Sequence, residues 1–573
     1  METAAFAKQP RTWWKESSVY QIYPASFQDS TGSGVGDLQG IVSRVDYLKD
    51  LGVDIVWLSP IFESPQIDMG YDISDYKTID PRYGDLADVD RLRDELHRRG
   101  MKLVLDLVMN HTSDQHQWFR ESRKSKHDNP FRDWYIWRPP RFDAAGNRQP
   151  PNNWESHFQG SAWEWDETTG EYYLHLFCKE QPDLNWENAA VRAAAHDVMR
   201  FWLDRGADGF RIDVINFISK DQRFPDSNQP VLAGHEFYAS GPRLHEYLAE
   251  LGAILREYDA FSVGEMPCVH DEAELIKAVG ADRGELSMIF HFELMDIDHG
   301  PKGKFSPQAW PLSKLKTTVN KWQRLMLDRN GWNALYLENH DQPRSVSRFV
   351  HDDAAHRAAS AKLIALFLGF QAGTPFVYQG QELGMTNVPK DWPFEEYKDV
   401  DCLNHWSLHK DSADSATRAA LKAQYQKKSR DNARTPMQWD AGPQAGFTTG
   451  RDPWMRVNDN YVDINAATQT SDQDSVYHTW RRVLEQRKAL KDVFVYGDFA
   501  LVDEPNERVF AYRRQAADGQ AALIVANFSA ESLSWPWQGK ARRVLVSPAG
   551  KTVEDVNGGE IRLGACEAIA LLL

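Results

Sequence analysis

The chain has 573 residues, 42% of them hydrophobic and 26% charged, and at about 150 residues per domain it has room for three or four domains. Such a chain buries a large core without disulfides or metals, which excludes a disordered polymer, a fibrous repeat and a small stapled scaffold. Its 83 acidic and 66 basic side chains leave a net charge of −17, so neither nucleic acid nor membrane is an expected partner.

Met1-Glu2-Thr3 does not start a basic segment followed by an apolar one, so no secretory leader is expected. The first predicted strand is 19–23. Three rounds of one pattern follow, each an amphipathic helix, a glycine and an apolar strand. Ile41, Val45, Leu48 and Leu51 share a helical face, Gly52 ends it, and strand 54–58 follows. Val89, Leu92 and Leu96, then Gly100, lead to strand 102–107. Val191, Ala195, Val198 and Trp202, then Gly206, lead to strand 208–213. Glycine suits the left-handed backbone past a helix end. Near-continuous apolar strands suit a parallel sheet covered on both faces. Segments 261–265, 288–291, 334–338 and 375–378 bring the count to eight, which predicts an α/β protein with a closed (β/α)8 TIM barrel.

Two stretches break the alternation. Residues 112–184, rich in Trp, Asn, Pro and Gly, read as a subdomain inserted after the third strand, because structureless loops of that length are rare. Residues 382–440 form a second, irregular insertion. After a helix near 475–490, short alternating strands such as 509–512 and 522–525 predict a C-terminal antiparallel β-sandwich. The expected division is a barrel from 1–111 and 185–492, an inserted subdomain at 112–184, and a β domain at 493–573. The longest apolar run, 363–370, is too short to span a bilayer. Cys178, Cys268, Cys402 and Cys566 are scattered and form neither a metal-type pair nor a disulfide framework, so a reducing, cytoplasmic location is expected.

A (β/α)8 barrel carries its active site at the C-terminal ends of its strands. There the sequence places Asp106 with Asn110-His111, then Arg211 and Asp213, then Glu265, then Glu338-Asn339-His340-Asp341. Converging carboxylates without phosphate-binding glycines suit glycoside hydrolysis, in which one acid protonates the leaving oxygen and a second carboxylate attacks the anomeric carbon or activates water. Other chemistries fail on spacing. Gly32-Ser33-Gly34-Val35-Gly36 matches neither nucleotide fingerprint and reads as a turn. His235-Glu236 and His245-Glu246 meet Ala239 and Ala249 where a zinc protease needs His, and no Gly-x-Ser-x-Gly elbow is present. Aromatic residues make up 12% of the chain, most of them expected in the core and some available to stack on sugar rings.

At these strand ends the sequence resembles the α-amylase family of glycoside hydrolases, within its oligo-1,6-glucosidase and α-glucosidase branch. The motifs are Asp106-Leu107-Val108-Met109-Asn110-His111, Gly209-Phe210-Arg211-Ile212-Asp213-Val214-Ile215-Asn216, Gly264-Glu265-Met266-Pro267 and Glu338-Asn339-His340-Asp341, with Gln181-Pro182-Asp183-Leu184-Asn185-Trp186 as the branch marker. The resemblance implies Asp213 as nucleophile, Glu265 as general acid/base, and Asp341 as the carboxylate that holds the sugar's 2- and 3-hydroxyls. Arg211 would keep Asp213 ionised. His111 and His340 would bond sugar hydroxyls. Asp68, Tyr71 and Arg430 would form the pocket floor, with Tyr71 as stacking platform, and Phe158, Phe177 and Gln181 the rim. Val214, directly after the nucleophile, resembles enzymes acting on α-1,6 bonds.

The resemblance thus implies a retaining, exo-acting α-glucosidase on short oligosaccharides, monomeric or a homodimer. A broad maltase-sucrase and a sucrose isomerase or other transglucosylase share this catalytic set. A non-catalytic transporter subunit is disfavoured, since the chain has all three carboxylates and no membrane helix. Related chains carry a calcium loop after strand one. Here Thr31 and Ser33 replace two ligands between Asp29 and Asp37, so calcium binding is expected to be weakened or lost, and no cofactor is required.

Overall fold

Helices and strands alternate along the chain from Val19, and eight strands join in one parallel sheet. The computed structural model describes residues 10–269, 271–411, 414–450 and 452–573. The leader expectation at residues 1–3 lies outside them. The strands are β1 (Val19–Ile22), β2 (Ile55–Leu58), β3 (Lys102–Val108), β4 (Gly209–Asp213), β5 (Phe261–Met266), β6 (Met288–His291), β7 (Ala334–Leu335) and β8 (Thr374–Tyr378). Their order is β6-β5-β4-β3-β2-β1-β8-β7, every pairing parallel. A parallel bridge between Ile289 and Asn333 joins the two ends and closes the barrel. All eight strands are buried almost throughout, because helices cover the outside and side chains fill the inside. Gly52, at φ 98°, and Gly206, at φ 92°, take the left-handed turns between helix and strand.

The seventh strand is shorter than the apolar run 334–338 suggests. Beyond Leu335 the chain leaves the sheet, tethered by the Tyr336 hydroxyl to the His291 carbonyl at 2.7 Å. His340 and Asp341 therefore enter the site from an irregular segment.

The subdomain after β3 folds around a small antiparallel sheet of Trp137–Arg138, Glu171–Leu174 and Trp163–Asp166. Antiparallel bridges His111–Asp183 and Tyr135–Leu184 tie its exit back to its entry. The stretch read as irregular at 382–440 instead carries three helices, the short Asp431–Arg434 and two longer ones, Val400–His409 and Ser415–Lys428. Their apolar faces are thin, and side chains of Asp399 and Asp414 cap their N-termini. Cys402 and Tyr425 pack into a satellite core with Phe305, Val388, Trp392, Phe394 and Tyr397, which supplies what local periodicity lacks.

The C-terminal region is a five-stranded antiparallel sheet backed by a two-stranded one. Val509, Leu523, Val525 and Ile569 meet Trp535 and Ile561 between the two layers. The opposite face, with Phe510, Tyr512 and Ile524, merges with the barrel core. There Tyr512, Arg514 and Arg487 donate to carbonyls at 366–371, the orphan end of helix Arg357–Gly369.

Candidate active site

Arg211 lies one turn of the pleat before Asp213 on β4, so both side chains point into the barrel mouth. Its guanidinium gathers three carboxylates. Nη1 donates to Asp106 Oδ1 at 2.9 Å and to Asp213 Oδ1 at 2.7 Å; Nη2 donates to Glu265 Oε2 at 2.7 Å. Asp106 is held further by the Tyr71 hydroxyl at 3.0 Å and Trp57 Nε1 at 3.2 Å. One cation does not offset the desolvation of three buried acids. Burial pushes Asp106 up to about 6, and Asp213 and Glu265 each up to about 7, against the downward pull of Arg211. Arg211 thus favours the ionised form of Asp213, while burial and the neighbouring Asp106 work against it.

Val214 follows at φ 33° and ψ 45°. A β-branched residue rarely adopts this left-handed backbone, which costs on the order of 1–3 kcal/mol. The turn aims the Val214 N–H at Glu265 Oε2, 3.3 Å away, and sets its side chain in an apolar cluster with Phe217 and, at its edge, Phe177.

A second guanidinium organises the floor. Arg430 donates through Nε to Asp399 Oδ1 at 2.7 Å, through Nη2 to Asp68 Oδ1 at 3.2 Å and through Nη1 to Asp341 Oδ1 at 3.5 Å. Arg434 adds a bond to the same Asp341 oxygen at 2.7 Å. Burial alone would raise Asp341, but His340, Arg430 and Arg434 outweigh it and hold the carboxyl well below its usual range. Asp68, with fewer cations beside it, is pushed up by burial to about 6.

The two groups meet through His340. Its Nδ1 lies 2.8 Å from Gln21 Nε2, and its Nε2 lies 2.6 Å from the Tyr71 hydroxyl and 3.1 Å from Asp341 Oδ2. His340 and Tyr71 also stack, with centroids 5.2 Å apart. His111 is buried, its pKa lowered to about 4 by desolvation, and packs 5.0 Å from the Phe177 ring. Phe158 lies 5.4 Å from Phe177 and beneath the Arg430 cation. Gln181 differs from its expected place on the rim. It is fully buried, and Nε2 donates to Asp68 Oδ2 at 3.2 Å, so it underpins the floor.

Asp213, Glu265, Asp341, Asp68, Tyr71, His111, Phe158, Phe177, Gln181, Arg211, Val214, His340 and Arg430 thus form one connected site. Glu338, in the same motif as Asp341, turns away to accept from the Ser345 N–H and pair with Arg344. Sequence reasoning missed Asp399 and Arg434. Arg434 stands four residues after Arg430, a spacing that places two cations on one helical face and was the available signal.

At Asp29–Asp37 the donor set suits a carboxylate rather than a cation. Asp29 accepts from the Thr31, Gly32 and Gly34 N–H groups and from the Thr448 hydroxyl, the last at 2.6 Å. Asp37 caps the next helix through Gly40 N–H at 2.7 Å. Among the described residues no group of three or more His, Cys, Asp or Glu side chains is arranged to hold a metal. No helix among them is long and apolar enough to cross a membrane.

Comparison with known proteins extends this geometry. The profile described as the α-amylase catalytic domain matches residues 21–497, and a domain of unknown function matches 502–569. The chain is 54% identical over 543 residues to an α-glucosidase of Schizosaccharomyces pombe, covering 93% of each. It is 51% identical to an oligo-1,6-glucosidase of Parageobacillus thermoglucosidasius, covering 91% of each. The crystal structure of isomaltulose synthase from Erwinia rhapontici NX5 superposes with a TM-score of 0.92 at 39% identity, covering 98% of this chain and 99% of that one.

Proposed function

The chain belongs to the α-amylase family of glycoside hydrolases, and we propose that within it the enzyme is a retaining, exo-acting α-glucosidase that favours α-1,6 linkages in short oligosaccharides. The observation that carries the mechanism is the sharing of one guanidinium by Asp213 and Glu265 through its two terminal nitrogens. Double displacement needs a nucleophile and an acid/base beside the same scissile bond, and the shared guanidinium holds both carboxyls at one point of the barrel mouth. Asp213 attacks the anomeric carbon as Glu265 gives its proton to the leaving oxygen. Glu265 then takes a proton from water, which displaces Asp213. Asp341, held charged by its arginines, accepts from the sugar hydroxyls and suits positive charge developing on the ring. The pocket presents hydrogen-bonding groups and aromatic faces to an uncharged glucose.

The α-1,6 preference rests on Val214, whose N–H reaches Glu265, the acid assigned to the leaving oxygen. The test is a panel of maltose, isomaltose, sucrose and trehalose with wild type and Val214→Thr, a shape-conserving change. The isomaltose-to-maltose ratio should fall in the variant; an unmoved ratio removes Val214 as determinant. The likeness to isomaltulose synthase favours one second reading, transfer rather than hydrolysis. Isomerised products from sucrose would support it, and glucose with fructose would not.

The Asp29 loop closed by N–H and hydroxyl donors supports activity without calcium. The four cysteines are unpaired, which suits a cytoplasmic location. A monomer or homodimer would serve equally, since one chain carries the whole site.

A further inference from the structure

We infer that a clasp between the inserted subdomain and the segment after β8 sets the length of substrate the pocket accepts, with Gln159 and Asn404 as specificity-determining residues. This rests on the exo-acting reading above. Gln159, at φ 75°, and Gly160, at φ 80°, turn the tip of the subdomain back on itself. Gln159 Nε2 donates to Asp401 Oδ1 at 3.1 Å. Lys304, from the loop after β6, donates to the other Asp401 oxygen at 3.1 Å. One turn along the same helix, Asn404 Nδ2 donates to the Phe158 carbonyl at 2.9 Å.

Three segments remote in sequence thus meet at one point, and what they tie down matters. The Phe158 ring lies 4.8 Å from the Arg430 cation, which faces Asp68 and Asp341. The clasp therefore fixes the rim residue that lies over the floor. The Lys304–Asp401 pair neutralises itself, so the rim shows an uncharged sugar no net charge. A longer chain must displace the tip, which costs the Gln159 and Asn404 bonds.

The experiment compares kcat/KM on isomaltose and isomaltotetraose for wild type, the double variant Gln159→Ala/Asn404→Ala, and Gln159→Glu. The tetraose-to-disaccharide ratio should rise about thirty-fold in the double variant, the worth of two net hydrogen bonds. Gln159→Glu keeps the shape but sets a carboxylate against Asp401. It should raise the ratio too, more at low salt than at high. A ratio unchanged in both variants, with nitrophenyl α-glucoside still cleaved, overturns the clasp. A wild type that releases no glucose from any of these substrates overturns the exo-glucosidase reading instead.

Discussion

Two buried arginines each gather three carboxylates, and the acids around them behave differently. Around Arg211, Asp106, Asp213 and Glu265 share a single cation, and burial lifts all three. Around Arg430, Asp341 and Asp399 are held low against burial, Asp341 by His340, Arg430 and Arg434, and Asp399 by Arg430, Lys304 and the backbone N–H of Arg430 at 2.9 Å. Asp68, the third acid on Arg430, is lifted to about 6 like the Arg211 set, so the contrast lies at Asp341 and Asp399, which stay charged. The difference lies in the count of cations and N–H donors against the desolvation of each acid. Glycoside hydrolysis needs both: a proton to give to the leaving oxygen, and a fixed anion beside the ring.

Removing the second cation should make the Arg430 group resemble the Arg211 group. In Arg434→Met the Asp341 pKa rises, and its charged form, present only above that pKa, is lost as pH falls. The expected result is a fall in kcat/KM on the order of 10²-fold at pH 5 and a smaller fall at pH 7.5. A loss of equal size at every pH would break the contrast. The converse test is on stability. Glu265 is raised in the fold, so its contribution is full below the unfolded pKa and fades as pH rises toward 7. Glu265→Gln should therefore gain about 1–2 kcal/mol at pH 7.5 over wild type, and nothing at pH 4.5, in denaturant unfolding. Asp29 sharpens the comparison as a carboxylate held by backbone N–H and hydroxyl donors. A chelator should leave Tm unchanged, while Thr448→Val should cost about 1 kcal/mol. A large drop in Tm on chelation would show a metal holding the loop.

What the sequence reveals of this site follows from how local each signal is. Asp106, Asp213 and Glu265 stand at the ends of buried strands, and strand position alone converges them. Asp341 is reached through its motif, although β7 ends at Leu335 and the residue arrives on irregular chain. Asp399 escapes such reasoning because its partner Arg430 stands 31 residues away, and Arg434, although spaced four from Arg430, shows its role only through Asp341, 93 residues away. Helices Val400–His409 and Ser415–Lys428 escape for a related reason, since their apolar faces are completed by Phe305 and Val388 from outside. Gln181 looks like rim from its motif, but its amide is spent on Asp68.

The assignment of Asp213 as nucleophile and Glu265 as acid/base is tested most directly by the anomer of glucose released from nitrophenyl α-glucoside, followed by proton NMR before mutarotation. Double displacement at Asp213 predicts α-glucose. β-Glucose as the first product would mean that water attacks directly, and would contradict a covalent intermediate on Asp213.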